Sequence, residues 1–260
     1  IHAGLDQQLH SGWNQEHYAL PPIDIELNCS GDAAVADLLA ALPEGPARAP
    51  ALPATPAPDR AASDALTNRD IATALKAAAE GTPLSFAALS RGFPADIIPH
   101  DHPLSFLGKD GGGGIGSGPG LTIGVALALK GSGRLVVGSL GDGDTLMGIN
   151  ALWTASHLDL PLLIVVANNR SYFNDELHQE RVANARGRPA ENRWIGQRLS
   201  DPEVDICAMA RAQGFEAEGP LRSRAELDAA LNSAAARVLA GGRVLIDARI
   251  EPGYAGDFGT

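Results

Sequence analysis

Cysteine is nearly absent from this chain: 260 residues carry only Cys29 and Cys207. Neither a disulfide framework nor a CxxC metal or redox site is suggested, and the cytoplasm is the expected setting. Positive charge is also scarce. Lys and Arg total 20 against 31 Asp and Glu, giving a net charge of −11 and a pI near 5.0. So acidic a chain is not expected to bind nucleic acid or an anionic membrane surface. No apolar run approaches the roughly 18 residues of a membrane-spanning helix, so no membrane association is expected. A signal-peptide pattern is missing too. The chain opens at Ile1 rather than Met, and a fragment of a longer protein is expected.

What is present divides the chain in three. Residues 1–43 hold a short strand reading at 23–27 (IDIEL) and an amphipathic helix at 33–42 with Asp32 as its N-cap. That is too little to bury a core of its own. Residues 44–65 begin with the Pro/Ala-rich run EGPARAPALPATPAPD, which favours extended linker conformations. Residues 66–260 alternate strand and helix signals, the pattern of a mainly parallel, doubly wound α/β sheet with helices on both faces. There Asn68 is the expected N-cap of a helix stopped by Gly81. Strands are expected at 83–89, 134–140, 161–167 and 243–250. Asp201-Pro202 is read as a helix start, and Ser223 with Glu226 as a capping box.

The stretch that organises the rest runs GDGDTLMGINALWTASHLDLPLLIVVANN, with 24 residues between Gly143 and Asn168. It reads as strand, glycine-rich loop, helix starting near Asp144, and second strand. Two adjacent parallel strands would bring Asp142 and Asn169 together at one sheet edge, where open α/β sheets bind ligands. A carboxylate beside an amide oxygen, with glycines that allow close backbone approach, suits Mg²⁺ shared with phosphates.

GDG, this spacer and NN resemble the signature of thiamine diphosphate (ThDP) enzymes, with wording similar to benzoylformate decarboxylases and acetolactate synthases. The resemblance covers roughly residues 66–250 and identifies them with the diphosphate-binding domain. It implies that Asp142, Asn169 and the main-chain carbonyl of Ser171 hold Mg²⁺. Gly141, Gly143, Asp144, Thr145, Asn169 and Tyr172 would surround the coenzyme, with the backbone at Gly143 and Asp144 on its diphosphate. Ser90, in the loop after the first strand, would also reach the diphosphate. In DGGGGIGSGPG, Ile115 after Gly114 would prop the coenzyme into its bent form. The GxGxxG inside that run lacks a good preceding strand, so the dinucleotide reading is weak.

The implied chemistry is addition of the coenzyme's C2 carbanion to a 2-oxo acid, loss of carbon dioxide, and protonation or carboligation of the resulting enamine. A 2-hydroxyacyl-CoA lyase or another ThDP C–C lyase, and a non-catalytic diphosphate-binding subunit that needs a partner chain, are the alternatives. The resemblance further implies a pyrimidine-binding domain or chain that carries an activating glutamate, and a homodimer or homotetramer. Residues 1–43 look like the tail of the family's middle domain. FAD, which some relatives bind through that domain, is undecidable from these residues. Asp144 adds a second carboxylate beside the diphosphate, so only its backbone N–H is expected to face the ligand. Arg170 stands where a small residue is commoner. The polar run 170–194 is read as a lid or a solvated helix, in which Phe173, Asn174, His178 or Arg181 would meet substrate. His100-Asp101-His102 offers metal-binding groups without a third or fourth ligand at a recognisable spacing, and is read as a structural or entrance loop, with His102 near the substrate.

Overall fold

The computed structural model describes residues 1–5, 8–11, 16–19, 22–43, 45, 65–94, 96–98, 100–108 and 114–252. The chain divides into two compact units, Ile1–Ala57 and Pro58–Thr260. In the first, β1 (His2–Ala3), β2 (Gln8–Ser11), β3 (Glu16–Ala19) and β4 (Glu26–Leu27) form two short ladders, β1 parallel to β4 and β2 antiparallel to β3. Helix α1 (Gly31–Ala41) follows, and Ala34 is its one buried residue. The cap of α1 is Ser30, whose hydroxyl accepts from the Ala33 N–H; Asp32 instead lies inside the first turn, where a carboxylate complements the helix dipole. The strand expected over 23–27 is confined to Glu26–Leu27. Most of the expected linker, residues 46–64, lies outside the described residues.

The second unit runs α2 (Asn68–Ala78), β5 (Leu84–Ala88), α3 (Gly118–Ala128), β6 (Leu135–Gly141), α4 (Asp142–Gly148), a 3-10 turn (Ile149–Ala151), α5 (Leu152–His157), β7 (Leu162–Asn168), α6 (Phe173–Ala185), α7 (Ile206–Arg211), β8 (Glu216–Leu221), α8 (Arg224–Leu239) and β9 (Arg243–Arg249). The sheet is five-stranded, in the order β5-β6-β7-β9-β8, and every pairing is parallel. It is the doubly wound architecture expected. Strand β7 explains why: all seven of its residues are buried, so both faces must be covered. Leu163, Val165 and Ala167 join a core with Ile71 and Leu75 of α2 and Leu227 and Leu231 of α8. Leu162, Ile164 and Val166 point the other way, into a second core with Ile123 of α3, Leu152 of α5 and Ile206 of α7.

Several local expectations move by a few residues. The cap of α2 is Thr67, in a reciprocal capping box with Asp70, while Asn68 is already helical. Helix α7 starts at Ile206, with the Asp205 carboxylate accepting from the Ala208 N–H at 2.7 Å, and not at Asp201-Pro202. Strand β6 extends one residue further than expected, and α4 begins at once with Asp142. The Ser223–Glu226 capping box stands at α8 as expected. Ser223→Ala should lower stability by about 1 kcal/mol in urea unfolding. Finally, Leu66 bridges Ile250, the Glu251 N–H donates to the Leu66 carbonyl at 2.9 Å, and the Ile250 N–H donates to Asn168 at 3.0 Å. Among the described residues, no helix is long and apolar enough to cross a membrane.

Candidate functional site

The parallel register sets Gly141 of β6 against Ala167 of β7, so both chains leave the sheet side by side. Asp142 is buried there. Its Oδ1 accepts from the Gly143 N–H at 2.9 Å and its Oδ2 from the Ser171 N–H at 3.1 Å. Asn169 Oδ1 accepts from that same Ser171 N–H at 3.0 Å, which draws all three residues together. The two asparagines differ in what they do. Asn168 is buried and donates through Nδ2 to Asp247 at 2.9 Å, tying β7 to β9, while Asn169 faces the cleft.

Between them and Ser171 the chain must turn sharply, and Arg170 adopts φ 61°, a left-handed conformation costly for any residue with a Cβ. This explains why a small residue suits the position. Arg170→Gly is expected to stabilise the protein by roughly 1 kcal/mol or less, a rise of about 2 to 4 °C at most in thermal unfolding.

Ser90, Gly114, Ile115, Gly141, Asp142, Gly143, Asp144, Asn169, Ser171 and Tyr172 all line one cleft of about 540 Å³. Thr145 does not. It is fully buried, and its hydroxyl donates to the Gly141 carbonyl at 2.8 Å. Ser90 sits on the cleft wall with its hydroxyl in contact with Asn68 Oδ1 and Ser139 Oγ, both at 3.1 Å. Ile115 is 50% exposed, unusual for an aliphatic side chain in a glycine loop beside a cleft. The Tyr172 ring covers Gly143 so closely that a Cβ there would lie 2.2 Å from ring carbon Cε1. Burial, followed by the charges of Asp142, Asp144 and Asp175, pushes the Tyr172 hydroxyl above its ordinary pKa. The Asp144 carboxylate accepts from the N–H groups of Gly116 at 2.6 Å and Gly118 at 3.3 Å, fastening the Ile115 loop to α4.

Other candidates fall elsewhere. His102 Nδ1 accepts from the Leu104 N–H at 3.0 Å, and His100 packs edge-on against Phe106. Among the described residues no group of three His, Cys, Asp or Glu could hold a metal. The polar run after Asn169 is largely helix α6. Phe173 and Asn174 line the cleft, as does Asp175, whereas His178 and Arg181 do not. One residue of α6 carried no signal in the sequence: Glu176 is its one buried residue, and its Oε1 accepts from the Ser171 hydroxyl. In sequence it is one more charge on a polar helix.

The donor set fits a hard divalent cation. Burial pushes Asp142 up to about 6, and the groups that oppose the shift are all main-chain N–H donors, none of them a cation. A buried carboxylate with no positive partner among the described residues, beside an amide oxygen and a serine turn, is what an oxygen-ligated Mg²⁺ would relieve.

Solved structures with the same fold include a thiamine diphosphate-dependent 4-hydroxybenzoylformate decarboxylase of Rhodococcus jostii, with a TM-score of 0.69 and 23% identity over 90% of this chain and 42% of its own. A benzoylformate decarboxylase of Polynucleobacter necessarius superposes with a TM-score of 0.57 and 23% identity over 71% of this chain and 33% of its own. In sequence, a benzoylformate decarboxylase of Pseudomonas aeruginosa is 34% identical over 129 residues, which is 48% of this chain and 21% of that protein. The chain thus spans about a fifth of that curated relative. The family model for the thiamine pyrophosphate enzyme C-terminal TPP binding domain matches residues 89–248. With the strand-end site in place and the family model covering most of the second unit, this chain belongs to the thiamine pyrophosphate enzyme family, through its C-terminal TPP-binding domain.

Proposed function

We propose that this chain is the C-terminal part of a ThDP- and Mg²⁺-dependent enzyme acting on 2-oxo acids, by decarboxylation, carboligation or both. The observation that carries the reading is the meeting of the buried Asp142 with Asn169 at one Ser171 N–H, on the wall of the cleft that Ile115 enters. Asp142 and Asn169 would hold Mg²⁺ through side-chain oxygens, and Ser171 through its carbonyl. The backbone at Gly143 and Asp144 would hold the diphosphate, with the Asp144 N–H facing it, because the Asp144 carboxylate is engaged by Gly116 and Gly118 and the Gly143 N–H by Asp142. Ser90 and Tyr172 wall the cleft, and Ile115 would support the coenzyme's bent form. When bound, ThDP supplies the electron sink for cleaving the bond beside a carbonyl. Phe173 and Asn174, at the start of α6, are positioned to meet the substrate.

Activation of the coenzyme is assigned to a glutamate on a pyrimidine-binding domain, in the same polypeptide or a partner, within a homodimer or homotetramer. Residues 1–43 are read as the tail of the family's middle domain, followed by a linker over 44–65. Native mass spectrometry of the full-length protein tests the reading, followed by carbon dioxide release from a panel of 2-oxo acids. Bound ThDP with Mg²⁺ and turnover of a 2-oxo acid are expected. Failure to take up ThDP in the presence of Mg²⁺ would rule the proposal out.

A further inference from the structure

The turn that presents Ser171 is held on its far side by groups outside the metal and coenzyme set. The Tyr172 N–H donates to the Gln197 carbonyl at 2.9 Å and the Leu199 N–H to the Arg170 carbonyl at 2.8 Å, so Ser171 bridges Arg198 in antiparallel fashion. The Ser171 hydroxyl donates to Glu176 Oε1 at short range, with the Gln197 carbonyl a longer contact at 3.4 Å. Glu176 is 4% exposed, on a helix whose other residues are half-buried or exposed. Its arginine neighbours stand off: Arg198 Nε lies 3.8 Å from Oε1, and Arg193 Nε lies 3.9 Å from Oε2. Arg193 is shared with Glu180 at 3.4 Å.

Burying a carboxylate costs free energy that two ion pairs near 4 Å, to arginines still 39% and 54% exposed, offset only in part, and a well-packed apolar residue would serve the helix better. Its close contact is the serine hydroxyl. Ser171 is therefore held at two points, by its N–H on Asp142 Oδ2 at 3.1 Å and by its hydroxyl on Glu176, and between them these fix the peptide that would present its carbonyl to the cation.

We propose that Glu176 is a positioning residue for the Mg²⁺ site, acting through the Ser171 hydroxyl and anchored from behind by Arg193 and Arg198. The proposal rests on the ThDP–Mg²⁺ reading above and adds a residue to it. Glu176 does not line the cleft. It fixes a ligand, as outer-shell partners do at other metal sites.

The test is the Mg²⁺ dependence of ThDP binding by the full-length protein, measured by calorimetry at fixed ThDP. Glu176→Ala and Ser171→Ala should each raise the half-saturating Mg²⁺ concentration by roughly 10- to 100-fold. ThDP affinity at saturating Mg²⁺ should stay within a few fold of wild type. The double variant should lose little more than either single, since both break one contact. Glu176→Gln keeps an acceptor for the hydroxyl and should recover most of the Mg²⁺ response. Variants that melt earlier yet keep the wild-type Mg²⁺ response would overturn the proposal and leave Glu176 a structural tie between α6 and residues 193–198. If Glu176→Ala does not fold, Ser171→Ala decides by the same criterion. A wild-type protein that binds ThDP without need of Mg²⁺ would bring down the metal-site reading itself, and this proposal with it.

Discussion

Asp142→Ala is expected to abolish Mg²⁺-dependent ThDP binding, weakening it by more than about 100-fold, because among the described residues the only buried carboxylate lining the cleft is lost. The same residue makes binding pH-dependent with a defined sign. Its carboxyl is pushed from 3.8 up to about 6, so below that value a proton would compete with the proposed cation. Apparent Mg²⁺ affinity should fall about tenfold between roughly pH 7 and pH 5, and stay nearly flat above about pH 7. Stability without metal runs in the opposite direction. A carboxyl whose pKa is raised on folding favours the folded state while protonated, and this contribution is lost as pH rises through about 6. The loss is on the order of 3 kcal/mol by neutral pH, and Mg²⁺ should restore it. Calorimetric titrations of both proteins across this range, with thermal unfolding in chelator and in Mg²⁺, measure both effects. A wild-type Mg²⁺ affinity that does not change between pH 7 and pH 5 would exclude Asp142 as the ligand.

Gly148→Ala should damage the other half of the cleft. A Cβ at Gly148 would lie 2.4 Å from the Gly116 carbonyl and 3.0 Å from the Pro119 ring. Backbone cannot yield as a side-chain tip does, and Gly116 has little slack. It sits at φ +102°, its own Cβ position lies 2.9 Å from Met147 Cβ, and its N–H is held by Asp144. The Ile115 loop must move bodily, at a cost of about 1 to 3 kcal/mol in stability. If Ile115 supports the coenzyme, losing that contact should weaken ThDP roughly tenfold, the equivalent of burying about half an isoleucine side chain. The half-saturating Mg²⁺ concentration should change less, since Asp142 opens α4 at the end away from Gly148 and Asn169 follows β7. Denaturant unfolding and ThDP titration in excess Mg²⁺ read the two effects separately. Destabilisation with unaltered ThDP affinity would remove Ile115 from the coenzyme's support.

The parts of the fold legible in the sequence are those whose signal is local. The run RLVVGSL closing on Gly141, and PLLIVVA closing on Asn168, marked strands buried on both sides, and their ends located the cleft. Strand β8 was not legible. EAEGPL alternates exposed and half-buried positions, carries two glutamates and contains Pro220, all of which suit an edge strand and resemble a loop. The caps slid from Asn68 to Thr67 and from Asp32 to Ser30 because neighbouring polar residues compete for one role, and only the backbone angles decide between them. Within the site, Asp142 and Asn169 were readable because glycines and strand ends frame them. Glu176 was not, since its burial depends on Arg193, Arg198 and a serine hydroxyl that only the folded chain assembles. The turn of the Asp144 carboxylate toward Gly116 and Gly118 needed the fold as well.

The bridge between Leu66 and Ile250 has a consequence for the protein's synthesis. Ile250 lines the cleft, and its neighbour Glu251 is hydrogen-bonded to a residue that leaves the ribosome long before it. Strand β9, which Ile250 follows, also separates β7 from β8. Until that strand emerges, β8 has no partner and the asparagine edge of β7 lies open, so the GDG and NN segments wait in an unfinished sheet. Contacts this distant in sequence form late. A coenzyme held at this edge would therefore meet only a finished domain, capturing the completed fold rather than templating the growing one.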